Sequence, residues 1–220
     1  MKHSIRIFLT TINLLCYSSY LWSTKIEVYF SPQDKIHSKL IQAIDATQKK
    51  IYAAVYMITD KTIVTALVKA KQERGVDVQI ITDAISLGSS YGKAESLAQQ
   101  GITVFMYKPS VSLYNPFFKT NAIMHHKFAL FDTMIWTGSF NWTRSADTRN
   151  KENVVAIYDD LATYNHYLQH FEVLKKECTN CATSYKKALH YKNSLSLYKD
   201  SCINFNKQNA CSDVCMVNYR

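Results

Sequence analysis

From Ile26 onward the apolar positions switch between a period of two and a period of three to four, and the switch repeats along most of the chain. Ile26, Val28 and Phe30 alternate with Glu27 and Tyr29, which predicts a strand ended by Pro32. Ile36, Leu40, Ala43 and Ile44 recur at helical spacing. A strand over Ile51 to Ile58 follows, then a helix carrying Ile63, Leu67 and Ala70, then a strand from Val76 to Thr82. Gly75 stands where that helix needs a left-handed residue to stop. A helix around Ala94 to Gln100 ends at Gly101, and Ile102 to Tyr107 reads as the next strand. Strands alternating with helices in this way imply an α/β domain.

The pattern then changes. Lys108 to Met124 holds two prolines and no clear period, so it reads as a loop. Strands are expected at His125 to Phe131, Ile135 to Ser139 and Val154 to Tyr158. Leu161, Tyr164, Leu168 and Phe171 mark a last helix finishing near Lys175 and Lys176. No repeat of 20 to 50 residues is present, so solenoid and propeller architectures are excluded. Residues 178–220 differ in kind: they are basic, lack glycine and proline, and contain Cys178, Cys181, Cys202, Cys211 and Cys215. The expected organisation is an N-terminal segment over 1–23, a folded domain over 24–177 and a basic, cysteine-rich appendage over 178–220.

The N-terminal segment places Lys2 and Arg6 before an apolar run from Ile7 to Leu15, the order of charge and apolar residues found in secretory signal peptides. Thr10, Thr11, Asn13, Ser18 and Ser19 make it a poor membrane span. Export to a periplasmic or extracellular compartment is the expectation, with an uncleaved N-terminal anchor as the alternative. In an oxidising compartment the tail cysteines are expected to form disulfides. In a reducing one, Cys178-x-x-Cys181 could begin a zinc site, although no second pair of that spacing follows. A formal charge of +9 favours polyanionic partners, nucleic acid or acidic lipid head groups, without choosing between them. Lys186, Lys187, Lys192, Lys199 and Lys207 interleave with Tyr185, Tyr191, Tyr198 and Phe205. That arrangement suits nucleic acid, an anionic membrane, or a solvated helix packed on the main domain.

The chemistry concentrates between Met124 and Val155. In a strand, His125 and Lys127 project to one face while His126 and Phe128 project to the other. An imidazole and an ammonium are thus presented together. A phosphodiester under attack needs cations and hydrogen-bond donors around its oxygens, and Lys127, Ser139 and Asn141 are suitable. Glu152 could accept a proton-bearing nitrogen of the imidazole and leave the other free to attack.

His125-x-Lys127, then Asp132, then Gly138-Ser139-x-Asn141 resembles the HKD signature of the phospholipase D superfamily. With Asn150-Lys151-Glu152-Asn153 and Val28 to Pro32, it is most similar to the short, single-motif branch that includes the bacterial Nuc endonuclease and the mitochondrial cardiolipin hydrolase (Zucchini) type. The spacing between Asp132 and Gly138 is one residue shorter than usual, where a hairpin turn would fall. The resemblance covers about Lys25 to Lys176 and implies a mixed β-sheet flanked by helices on both faces, an αβα sandwich. It also implies that His125 is the nucleophile of a phosphohistidine intermediate, that Lys127, Ser139 and Asn141 bind phosphate, and that Asp132 and Glu152 fix the His and Lys geometry. Neither a metal nor a cofactor is implied. One chain has one motif, so a homodimer with a composite site is expected. An endonuclease acting on DNA or RNA is the leading reading, a phospholipase acting on phosphatidylcholine or cardiolipin the alternative, and an inactive binding module the third. His126 is expected to be structural.

Overall fold

The structure is a computed structural model, and it describes residues 24–84, 92–107 and 122–181. The expected loop at Lys108 and the tail beyond Cys181 therefore fall largely or wholly outside the described residues, as does the segment 1–23. The elements run β1 (Lys25–Phe30), α1 (Ile36–Ala46), β2 (Lys50–Val55), α2 (Lys61–Arg74), β3 (Asp77–Asp83), α3 (Ala94–Gln99) and β4 (Thr103–Tyr107). They continue with β5 (Lys127–Phe131), β6 (Met134–Gly138), α4 (Arg144–Thr148), β7 (Asn153–Tyr158), α5 (Leu161–Lys176) and β8 (Cys178–Asn180).

Local signals start and stop these elements. The Asp60 carboxylate accepts the Thr62 and Ile63 backbone N–H groups at the start of α2, and Asp160 does the same for Thr163 in α5. Gly75 ends α2 at φ 71°, the left-handed conformation that its lack of a Cβ allows.

All eight strands form one sheet in the order β1-β7-β6-β5-β2-β3-β4-β8. The neighbours β2, β3 and β4 are parallel, and every other pairing is antiparallel. Period-two side chains must then face two different layers, and both are covered. One layer buries Ile36, Leu40 and Ile44 of α1 with Ile63 and Leu67 of α2 against Ile51, Ala53 and Ala129. The other packs Tyr164, Phe171 and Leu174 of α5 on Ala54, Ile81, Phe128, Leu130 and Ile135. This is the expected αβα sandwich. Each large apolar side chain buried in these layers contributes about 1.5–3 kcal/mol of transfer free energy.

Two findings depart from the sequence reading. Ile26, Val28 and Phe30 of the edge strand β1 are 59%, 50% and 55% exposed, because α5 packs mainly over β2, β5 and β6 and leaves this edge uncovered. The domain also extends past residue 177: Cys178–Asn180 pairs with Phe105–Tyr107 as β8, and Cys181 is buried, so the appendage begins later than the change in composition suggests. Cys178 and Cys181 are not bonded to each other. Burial, reinforced by Glu177, pushes the Cys178 thiol up to about 12, and burial also raises Cys181. Among the described residues no helix is long and apolar enough to cross a membrane.

Candidate active site

The strand directions place the C-terminal ends of β1, β2, β3, β4 and β6 on the same sheet edge as the N-terminal ends of β5 and β7. His125 and Lys127 enter at that edge on β5, Ser139 and Asn141 leave it after β6, and Glu152 precedes β7. Five of the six expected site residues therefore gather at one edge.

His125 is exposed, and its ring meets the Tyr56 ring edge-on at 4.8 Å between centroids. Lys127 is only 9% exposed; its Nζ lies 5.2 Å from the Tyr56 ring centre and donates to the His125 carbonyl oxygen at 2.7 Å. Tyr56 thus forms a common floor for the imidazole and the ammonium. Burial lowers the Lys127 pKa, and the negative charge of Glu152 opposes that shift. His126 turns to the opposite face, as the alternation requires, where its ring meets Phe128 and His170. Its imidazolium is disfavoured first by burial and then by the charges of His170, Lys127 and His125.

The start of β5 is pinned from both sides. The buried Asp83 carboxylate accepts the Met124 N–H at 2.8 Å, and the Tyr56 N–H donates to the His126 carbonyl at 2.8 Å. On the β6 side, Gly138 permits a close approach that any side chain would prevent, since a Cβ there would lie 2.1 Å from the Asn153 carbonyl oxygen. The next residue uses this approach. Ser139 Oγ donates to Glu152 Oε2 at 2.6 Å and accepts the Asn153 N–H at 3.0 Å. Asn150 Nδ2 donates to Glu152 Oε1 at 2.8 Å. The buried Asn141 Oδ1 has no hydrogen-bond partner among the described residues.

Glu152 thus differs from its expected role. Its carboxylate hydrogen bonds go to Ser139 and Asn150, and its reach into the site is electrostatic, toward Lys127, with none to the His125 imidazole. Ser31 is a residue that sequence reasoning left without a role. Its Oγ accepts the Glu152 N–H and donates to the Asn150 carbonyl, while its own N–H donates to the Glu152 carbonyl. The signal was available in the run from Val28 to Pro32. Tyr56, the residue that follows β2, carried no sequence signal at all.

Asp132 requires a correction. It lies five residues beyond Lys127, about 16 Å along the strand at ~3.3 Å per residue, at the opposite end of the sheet from His125. There its carboxylate accepts the N–H groups of Gln48, Lys49 and Lys50, tying the turn before β2 to the hairpin between β5 and β6. It is a structural clamp and touches neither His125 nor Lys127. Burial alone would raise the Asp132 pKa, but these N–H donors and the Lys49 charge outweigh it, and the net shift is downward. Its stabilisation is therefore complete above the ordinary value of 3.8 and is lost as pH falls through the lower folded value. Asp132→Ala is expected to cost about 2–3 kcal/mol of unfolding free energy, because three N–H groups lose an ionised acceptor. Denaturant unfolding above pH 5 should show this, while turnover per folded molecule stays near wild type. A turnover loss without a stability loss would return Asp132 to the chemistry.

Comparison with known proteins places this arrangement. A family model described as cardiolipin synthase, PLD-like domain, matches residues 40–175. A phospholipase D of Rickettsia felis is 32% identical over 163 residues, covering 74% of each chain. A mitochondrial cardiolipin hydrolase of Xenopus tropicalis is 31% identical over 145 residues, covering 66% of this chain and 63% of its own. Among solved structures, the phospholipase D family member Nuc from Salmonella typhimurium superimposes with a TM-score of 0.62 at 28% identity, over 72% of this chain and 98% of its own. With its paired imidazole and ammonium on one sheet edge, the chain belongs to the phospholipase D superfamily, as a phosphodiester hydrolase.

Proposed function

We propose that the chain hydrolyses phospholipids through a phosphohistidine at His125, in a homodimer with a composite site. His125 attacks phosphorus, and His125 of the partner subunit protonates the departing alcohol oxygen. Water then attacks the phosphohistidine, giving up a proton to the partner's His125 and releasing the phosphomonoester. Lys127 and Asn141 hold the phosphoryl oxygens; Ser139, whose single hydroxyl proton goes to Glu152, braces that carboxylate, and Glu152 supports the charge on Lys127. The cationic side chains supply the charge stabilisation that a metal would otherwise provide.

One observation carries the choice of lipid. His125 lines a cleft of about 400 Å³ whose wall includes Met124, Leu174, Ile123 and Val173, the last two 51% and 48% exposed. Exposed branched side chains beside the nucleophile suit acyl or glyceryl carbons better than a run of charged phosphates. The relatives named phospholipase D and cardiolipin hydrolase are in keeping with it. Nucleic acid is the second reading, favoured by the charge of +9.

Purified protein in excess EDTA, given vesicles of phosphatidylcholine and cardiolipin or single-stranded DNA, distinguishes the two. Release of phosphatidic acid or phosphatidylglycerol with intact DNA is expected, at a rate equal to that without EDTA. DNA cleavage with untouched lipid would overturn the lipid reading, and loss of all activity on chelation would overturn the metal-independent mechanism. The composite site is tested by randomly mixing wild-type and His125→Ala chains in equal amounts. About a quarter of the dimers are then wild-type on both sides, so activity per wild-type chain should fall to about half. Unchanged activity per wild-type chain would mean separate sites.

A further inference from the structure

The catalytic reading leaves a pair of histidines unused. His126, immediately after the nucleophile, and His170, on α5, bring their Nε2 atoms to 3.1 Å with ring planes at 90°. Both are exposed and both line the cleft that His125 also lines. Phe128 packs against the two rings, at 5.7 and 6.3 Å between centroids, and limits their movement away from the cleft.

We infer that His126 and His170 form a two-imidazole site for a divalent transition metal of the zinc class, and that its occupation inhibits the enzyme. The geometry is the argument. Two imidazole nitrogens bound at ~2.0–2.1 Å to one tetrahedral zinc lie about 3.3–3.4 Å apart, so the observed separation needs only a small ring rotation. An N–H···N hydrogen bond accounts for the same distance in the metal-free protein, with one ring as donor. The metal would displace that proton and use both lone pairs. Imidazole is a ligand type that zinc, copper and nickel prefer over magnesium and calcium. Among the described residues no three His, Cys, Asp or Glu side chains converge to hold a metal, so water would complete the coordination shell. A hydrated dication there would crowd the cleft next to His125 and draw a substrate phosphate away from Lys127 and Asn141. Inhibition, not activation, follows from an enzyme that already supplies its own cations.

The test uses the full chain, stripped with EDTA and exchanged into chelator-free buffer. Zinc affinity is measured by competition with a chromophoric chelator, cobalt(II) absorption reports the ligand type, and hydrolysis of bis(p-nitrophenyl) phosphate reports activity. Wild type is expected to bind one metal without a cobalt–thiolate band at this site and to lose most activity reversibly. His126→Ala and His170→Ala are each expected to retain activity without metal and to bind at least about tenfold more weakly, as loss of a ligand requires. The zinc concentration for half inhibition should rise by the same factor. Unchanged affinity in both variants, or binding that carries only the thiolate band, would place the metal elsewhere and overturn the inference. The binding measurement stands apart from the proposed chemistry: if diester hydrolysis fails, the affinity difference between wild type and His170→Ala still decides.

Discussion

Replacing His125 with alanine is expected to abolish phosphodiester turnover, while replacing His126 leaves most of it. The two side chains are neighbours in sequence and have similar exposure, so composition offers no reason for the difference. Register does. His125 shares the Tyr56 surface with the Lys127 ammonium, whereas His126 faces Phe128 and His170 across the sheet. On the proposed mechanism, removing His125 takes away both the nucleophile of the covalent intermediate and the group that protonates the leaving oxygen. The effect should be seen in steady-state hydrolysis and in the disappearance of acid-labile phosphate bound to protein after brief mixing with substrate. Equal, severe losses in both variants with unchanged thermal unfolding would refute this assignment.

The second large effect belongs to Lys127. Its ammonium is nearly buried, rests on Tyr56 and, among the described residues, donates one hydrogen bond, to the His125 carbonyl, so most of its capacity to donate remains for an incoming phosphoryl oxygen. Lys127→Ala should lower kcat/KM roughly 100-fold or more, the cost of removing one donor to the charge that develops in the transition state. A loss below about tenfold would place Lys127 away from the phosphate. Protonation adds a second test. Burial already lowers the pKa of Lys127, and Glu152 opposes this. Glu152→Gln removes the opposing charge, so the ammonium should deprotonate at lower pH and the alkaline limb of the pH–rate profile should shift downward. An unmoved limb in Glu152→Gln would separate Glu152 from Lys127.

Much of this architecture was legible from periodicity, because strands alternate every second residue and helices every third or fourth. The helix ending at Gly75 and the strand carrying Lys127 could be placed on that basis. Periodicity also assigned His125 and Lys127 to one face. It says which face a side chain joins, however, and not which end of a strand it occupies. Asp132 was therefore grouped with the site by its place in the motif, although it clamps the far end of the sheet. The reciprocal hold of Ser31 on Glu152 joins residues 121 positions apart, so the run from Val28 to Pro32 marks Ser31 without revealing its partner. Three-residue β8 is too short for any period to show. The solvent-facing side of β1 was equally hidden, because alternation identifies an apolar face without identifying the layer that covers it.

Strand β8 also determines where the chain can safely be shortened. By pairing with Phe105, Met106 and Tyr107 it occupies the hydrogen-bonding groups that β4 would otherwise present at the end of the sheet. A protein ending at Glu177 keeps every residue of the HKD motif, yet it exposes an aromatic-rich strand edge ready to recruit another copy. Such a truncation would therefore lose solubility before it lost chemistry, with its aggregates held by new strand pairing along β4.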